Sequence, residues 1–139
     1  MDDAFTGYVR YLENLTPKTL NQISKYVTND VHFKDPFNDV NGIEEMKGVF
    51  LHMFYNVENI VFKVRKFNSV DGVGFMEWTF SGRLQKKQWV FMGTSVVSFN
   101  DNNLVLEHID YWDAAQGLYE NLPVIGWFLR RLRRRLAAY

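Results

Sequence analysis

The stretch Tyr26–Phe50, YVTNDVHFKDPFNDVNGIEEMKGVF, decides how the chain is read. Val31 and Phe33 alternate with His32 and Lys34, the period-two signature of a strand. Asp35-Pro36 ends it, because proline has no N–H for a ladder and keeps its predecessor out of the helical region. Asn38, Asp39, Asn41 and Gly42 supply turn chemistry, and Ile43, Met46, Val49 and Phe50 return at helical spacing. Strand, turn and helix in this order leave the Asp35 carboxylate at a strand end, facing either solvent or a cavity.

On the N-terminal side, residues 4–14 place Phe5, Tyr8, Val9 and Leu12 on one helical stripe that continues to Leu15, with Tyr11 beside it. Asp2 and Asp3 suit the start of that helix, where the macrodipole is positive. Thr16 as N-cap and Pro17 at the first position predict a second helix, which turns Leu20, Ile23 and Val27 inward. The helix after Asp35 is expected from about Gly42 to Tyr55. Beyond Ile60 the period changes to two. Ile60, Phe62 and Val64 oppose Val61, Lys63 and Arg65; after Asp71-Gly72, Met76, Trp78 and Phe80 oppose Phe75, Glu77 and Thr79. Two further runs, QWVFMGTSVVSFN and LVLEHIDYWD, flank Asp101-Asn102-Asn103, a hairpin signal. Helices first and a four-strand meander afterwards predict an α+β domain.

These features resemble the NTF2-like superfamily, in particular its SnoaL-like and ketosteroid-isomerase-like members. The likeness rests on three marks in order: Tyr11 within Arg10-Tyr11-Leu12-Glu13, the Asp35-Pro36 pair 24 positions later, and Tyr111-Trp112 at the end of a late strand. The resemblance implies a cone, with N-terminal helices packed against a curved, mostly antiparallel sheet and a pocket at the open mouth. It also implies a homodimer. In the isomerase-like members the residue matched by Asp35 is a base that shuttles a proton next to a ketone, and the one matched by Tyr11 donates a hydrogen bond to the oxyanion. Those enzymes use a protonated aspartate as a second donor, whereas 17 positions before Trp112 this chain has Ser95, a shorter and weaker acid. Ser95 is expected to line the same cavity in another role. Trp112, Phe50 and Trp78 are expected among the residues that hold the substrate. One fold hosts many reactions, so the resemblance bears on architecture first.

With 139 residues, 47% of them hydrophobic, the chain suits one domain with a core and one cavity. Twelve Phe, seven Tyr and four Trp favour a rigid, aromatic-lined interior. Sixteen basic and sixteen acidic residues cancel, so no overall field favours nucleic acid. Cysteine is absent, which excludes disulfides, thiolate metal sites and cysteine nucleophiles. The start, MDDAFTGYVRYL, lacks the basic-then-apolar order of a signal peptide, and no apolar run approaches the ~20 residues that span a bilayer. A cytoplasmic protein is expected. No G-x-S-x-G, P-loop or G-x-G-x-x-G occurs, which argues against serine hydrolases, NTPases and dinucleotide enzymes.

A carboxylate in an apolar cavity has its charged form disfavoured, which would raise the pKa of Asp35 toward that of a useful base. The plainer alternative is that Asp35 caps the turn before Pro36. His108, Asp110 and Trp112 share one strand face because side chains alternate. There His108 and Asp110 form an acid/base pair, anchor a ligand, or close an ion-paired network without chemistry; the spacing does not choose. His108, Asp110, Asp35 and His32 carry metal-binding atoms but no dedicated ligand spacing, so neither a metal nor a cofactor is expected. His52 reads as surface or core filler.

The final stretch, NLPVIGWFLRRLRRRLAAY, departs from the family core and divides the chain into a domain over residues 1–115 and a helical extension over 116–139. Ile125, Phe128, Leu129, Leu132 and Leu136 fall on one stripe, with Arg130, Arg131, Arg133, Arg134 and Arg135 around the rest. Packing of the stripe on the domain or a partner subunit is expected first. Membrane contact through Arg130 to Arg135, for which Trp127 and Phe128 suit, ranks second, and RNA contact last. The functional expectation is isomerisation or cyclisation by proton transfer next to a carbonyl, or addition of water, on an apolar steroid- or polyketide-like molecule. Asp35 is its base, Tyr11 its oxyanion donor, and His108 with Asp110 the auxiliary pair. The alternative is a non-catalytic ligand-binding or protein-interaction module.

Overall fold

The computed structural model describes residues 2–117 and 124–138. Helix α1 (Asp2–Glu13) leads into a 3₁₀ turn (Leu20–Lys25), strand β1 (Val27–Lys34), a short strand β2 (Asp39–Asn41) and helix α2 (Ile43–Asn56). Strands β3 (Glu58–Val70), β4 (Val73–Leu84), β5 (Lys87–Phe99) and β6 (Val105–Trp112) follow, then α3 (Ala114–Gly117) and α4 (Ile125–Leu136). One six-stranded sheet runs β2-β1-β6-β5-β4-β3, antiparallel throughout except where β1 meets β6. The result is the expected α+β cone, with helices packed against a curved sheet.

Turn chemistry sets the hairpins. Asp71 and Gly72 both take positive φ, 51° and 79°, the conformation that joins two right-twisted strands by two residues. Between β4 and β5 the same conformation falls on Gln85 and Lys86, at 51° and 68°, residues that carry no such preference. The β5–β6 connection forms where Asp101-Asn102-Asn103 placed it, with Asn100 Oδ1 accepting the N–H groups of Asn102 and Leu104.

The core is the seam between α1, the start of β1 and the concave face of the sheet. Phe5, Tyr8, Val9 and Leu12 of α1 are buried against it, as are Ile23, Val31, Phe33, Met76, Trp78 and Val97. Two glycines let rings lie directly on the strands: a Cβ at Gly74 would come 2.6 Å from the Phe5 ring, and one at Gly93 2.4 Å from the Trp78 indole. A bulge between Val64 and Lys66 breaks the β3–β4 register, and there Glu13 Oε2 accepts the Val64 N–H at 2.9 Å, tying α1 to β3.

Three local readings change. The second helix is only a six-residue 3₁₀ turn, and Val27, expected on it, opens β1. Thr16 and Thr19 do exchange capping bonds, but around a single turn, which is too short to propagate an α-helix. Asp39–Asn41, read as turn, pairs with His32–Lys34 as β2. Gly42, at φ 98°, then starts α2, and Glu45 reaches back to the Asn41 N–H at 2.9 Å.

Candidate functional site

A cavity of about 300 Å³ occupies the concave side of the sheet. Phe33 and Phe50 form one wall, with ring centroids 5.3 Å apart. Phe80, Phe91 and Trp112 form the other, Phe91 stacked on Phe80 at 4.9 Å and on Trp112 at 4.2 Å. Trp78 and Phe62 close the inner end, and the exposed lining residues Phe37, His52 and Asn56 mark the open one. Against this apolar surface stand three carboxylates, Glu13, Asp35 and Asp110, with the imidazole of His52 at the rim and that of His108 beside Asp110.

His108 and Asp110 belong to a chain of hydrogen bonds. Burial pushes the Tyr8 phenol well above its ordinary pKa, with the Asp110 charge adding to the effect, so Tyr8 stays a donor. Its hydroxyl lies 2.7 Å from His108 Nδ1 and donates to it when the neutral imidazole carries its proton on Nε2. In that tautomer Nε2 donates to Asp110 Oδ1 at 2.6 Å. From the other side the Trp78 indole, which only donates, gives its N–H to Ser95 Oγ at 2.8 Å, and Ser95 passes its own hydrogen to the same Asp110 Oδ1. The indole end only donates, and both branches converge on one oxygen. Asp110 Oδ1 takes both bonds, and among the described residues no hydrogen bond reaches Oδ2.

Asp35 is held differently. Its Oδ1 accepts the backbone N–H groups of Phe37 at 2.8 Å and Asn38 at 2.7 Å, and the Asn38 amide lies 3.0 Å from Oδ1 and 3.2 Å from Oδ2. It thus caps the turn after Pro36 and also lines the cavity. Burial raises its pKa; the Phe37 and Asn38 bonds oppose that rise, and the neighbouring Asp110 charge adds a little to it.

A profile of the SnoaL-like domain matches residues 8–108, most of the chain. This protein belongs to the SnoaL-like family. No curated protein matches its sequence. Among solved structures it is similar to a putative SnoaL-like polyketide cyclase from Shewanella denitrificans, at 16% identity over 84% of this chain and 92% of that one, with a TM-score of 0.70. It is similar to an LEH-like epoxide hydrolase of M. tuberculosis, at 14% identity over 94% of both chains, TM-score 0.67. A protein with a ketosteroid isomerase-like fold from Catenulispora acidiphila, crystallised with trimethylamine, matches at 13% identity over 83% of this chain and 88% of that one, TM-score 0.70. At such identities the likeness is one of fold.

Within this SnoaL-like cone the residues singled out from sequence separate into two groups. Asp35, Phe50, Trp78, His108, Asp110 and Trp112 all line the cavity. Ser95 does not; it is 1% exposed, behind the wall, between Trp78 and Asp110. Tyr11 is a correction. Its ring stacks on Tyr26 at 4.4 Å, its hydroxyl donates to the Thr19 carbonyl at 2.8 Å, and burial pushes its pKa up to about 12. It is not among the cavity-lining residues, so its proton is spent on the 3₁₀ turn. The tyrosine that reaches the polar network is Tyr8, one helical turn earlier, which the sequence reading took as core. A tyrosine on an apolar stripe needs a partner for its hydroxyl, and that was the available signal. His32 lies on the opposite strand face, bonded to Glu107 at 2.8 Å and Asp39 at 2.6 Å.

Proposed function

We propose that this SnoaL-like protein catalyses proton transfer next to a carbonyl on an apolar, steroid- or polyketide-like small molecule. The observation that carries the reading is Asp110: two oriented donors hold Oδ1, and Oδ2 is left for a ligand in an aromatic cavity. Asp110 Oδ2 removes a proton from the carbon beside the carbonyl. The Ser95 and His108 bonds fix the carboxylate and steady its charge, with Tyr8 and Trp78 positioning them. Asp35, whose pKa is raised by burial, supplies a carboxylic acid proton as hydrogen-bond donor to the oxygen on which charge develops. Return of the proton to another carbon completes an isomerisation; attack of the enolate carbon on a second carbonyl completes a cyclisation. Two carboxylates in unlike surroundings, Asp110 held by the Ser95 and His108 bonds and Asp35 with its pKa raised by burial, support this division of roles.

The same pair supports a second reading, addition of water to an epoxide, with Asp110 activating water and Asp35 protonating the ring oxygen. Labelled water separates the two, because only hydration places its oxygen in the product.

A thermal-shift screen against ketones, epoxides and fatty acids finds a ligand, since one present at 100 times its Kd stabilises the fold by about 2.7 kcal/mol. On the ketone so found, Asp110→Asn is expected to slow α-proton exchange by about 10²–10⁴-fold with melting behaviour retained. Exchange at the wild-type rate in that variant sinks the assignment. Ligand stabilisation without exchange or hydration in the wild type favours a binding module instead.

A further inference from the structure

We propose that α4 is a membrane-surface anchor, a helix that lies in the headgroup layer of an anionic bilayer with its apolar stripe toward the acyl chains. The proposal is independent of the chemistry in the cavity. It rests on which side of α4 the rest of the chain covers. Gly126 is buried, and Leu129 and Arg130 are half-buried, so the helix is covered along that side, where it neighbours α3. At 100° per residue the stripe of Ile125, Phe128, Leu132 and Leu136 is centred roughly 120° from that contact. Those four residues are 54%, 60%, 44% and 79% exposed. Among the described residues the helix is thus amphipathic, and all of its apolar stripe except the half-buried Leu129 is left exposed.

What covers the face is indicated by charge. Residues 124–139 contain five arginines and no acidic residue. Arg133 and Arg135 flank the stripe on either side, and on the polar face away from it Arg131 sits over the exposed Trp127 ring at 5.7 Å. Apolar centre and arginine shoulders match the layering of an anionic membrane surface from acyl boundary to phosphate. Nucleic acid satisfies the arginines but leaves the stripe in water. A second copy of the helix covers the stripe but brings two sets of five arginines together. At twelve residues the helix is about 18 Å long, too short for a ~30 Å hydrocarbon core, and no described helix is long and apolar enough to cross a membrane. Lying flat is the geometry left.

The test is flotation of the full-length protein with phosphatidylcholine vesicles, with and without phosphatidylserine, at low and high salt. Binding is expected to require the anionic lipid and to weaken with salt. Replacing any one of Arg131, Arg134 and Arg135 by glutamine should lower partition about fivefold, the factor equivalent to ~1 kcal/mol per basic residue. Phe128→Ser with Leu132→Ser keeps the charge and should lower it more than about tenfold, from the lost apolar area. Both residues are exposed, so melting temperature should not move, and an unmoved melting temperature keeps a loss of binding attributable to the stripe. Four results overturn the proposal: no binding to anionic vesicles, equal binding to neutral ones, undiminished binding by the Phe128/Leu132 variant, or a stable dimer through α4 that does not float. Tighter retention on single-stranded RNA than on anionic vesicles, indifferent to Phe128 and Leu132, also overturns it.

Discussion

In the concave wall of the sheet, Tyr8, Trp78, Ser95 and His108 are each under a tenth exposed, and each finds a polar partner in one chain of bonds. In α4, by contrast, Phe128 and Leu136 stand in solvent although both are large and apolar. The wall buries polar groups and satisfies them; the helix exposes apolar groups and leaves them uncovered. Folding free energy accounts for the first arrangement, because a satisfied network keeps its desolvation cost in check. It does not account for the second, and what α4 contributes must be sought outside the stability of the chain.

The largest expected effect tests that contrast directly. Phe33→Ala should lower stability by about 3–5 kcal/mol, whereas Phe128→Ala should stay within about 0.5 kcal/mol, both by denaturant melts. Equal losses would mean that the α4 stripe packs on the chain after all. Next comes the network. Ser95→Ala removes the acceptor for the Trp78 N–H and a donor to Asp110, and should cost about 1–3 kcal/mol. A neutral result would show that the chain of bonds is weaker than its geometry.

The two carboxylates sharpen the comparison within the cavity. The folded-state pKa of Asp35 is raised, so the folded protein binds the proton more tightly than the unfolded chain does. Stability is therefore lost as pH rises from 3.8, the ordinary carboxyl value, through the folded-state value. Asp35→Asn keeps an oxygen for the Phe37 and Asn38 N–H groups and removes that loss. Its melting temperature should exceed that of the wild type at pH 7–8 and converge with it at acid pH; convergence at neutral pH instead would contradict the burial account. The smallest effect lies on the outer strand face. Bonds to Glu107 and Asp39 raise the His32 pKa, so their contribution is complete below 6.5 and fades as pH climbs through the folded-state value. His32→Gln should cost about 0.5 kcal/mol near pH 5.5 and nothing near pH 9, in parallel melts.

The fold was largely legible because its signals are local. Asp35-Pro36, Asp71-Gly72 and Asp101-Asn102-Asn103 each stop or turn the chain by their own dihedral preferences, and the period-two run His108-Ile109-Asp110-Tyr111-Trp112 placed three residues on the cavity face. The Gln85-Lys86 turn was not legible, because the strands on either side impose a conformation that neither residue prefers. The choice between Tyr8 and Tyr11 was not legible either. Spacing to Asp35 singled out Tyr11, but its partner is the Thr19 carbonyl, whose position depends on how the 3₁₀ turn packs. Ser95 was expected to line the cavity; that Trp78 and Asp110 cover it instead follows from cross-strand neighbours, which one strand's sequence does not contain.

Four of the five strand pairings are antiparallel, and only β1 and β6 run the same way. That pair aligns Lys34 with Ile109, so continuing the ladder by one step brings Asp35 to the level of Asp110. Had β6 met β1 in the opposite sense, the two carboxylates would lie at opposite ends of an eight-residue strand, roughly 25 Å apart. The two carboxylates are neighbours because of chain direction: a single parallel contact in an otherwise antiparallel sheet collects two strand ends on one rim.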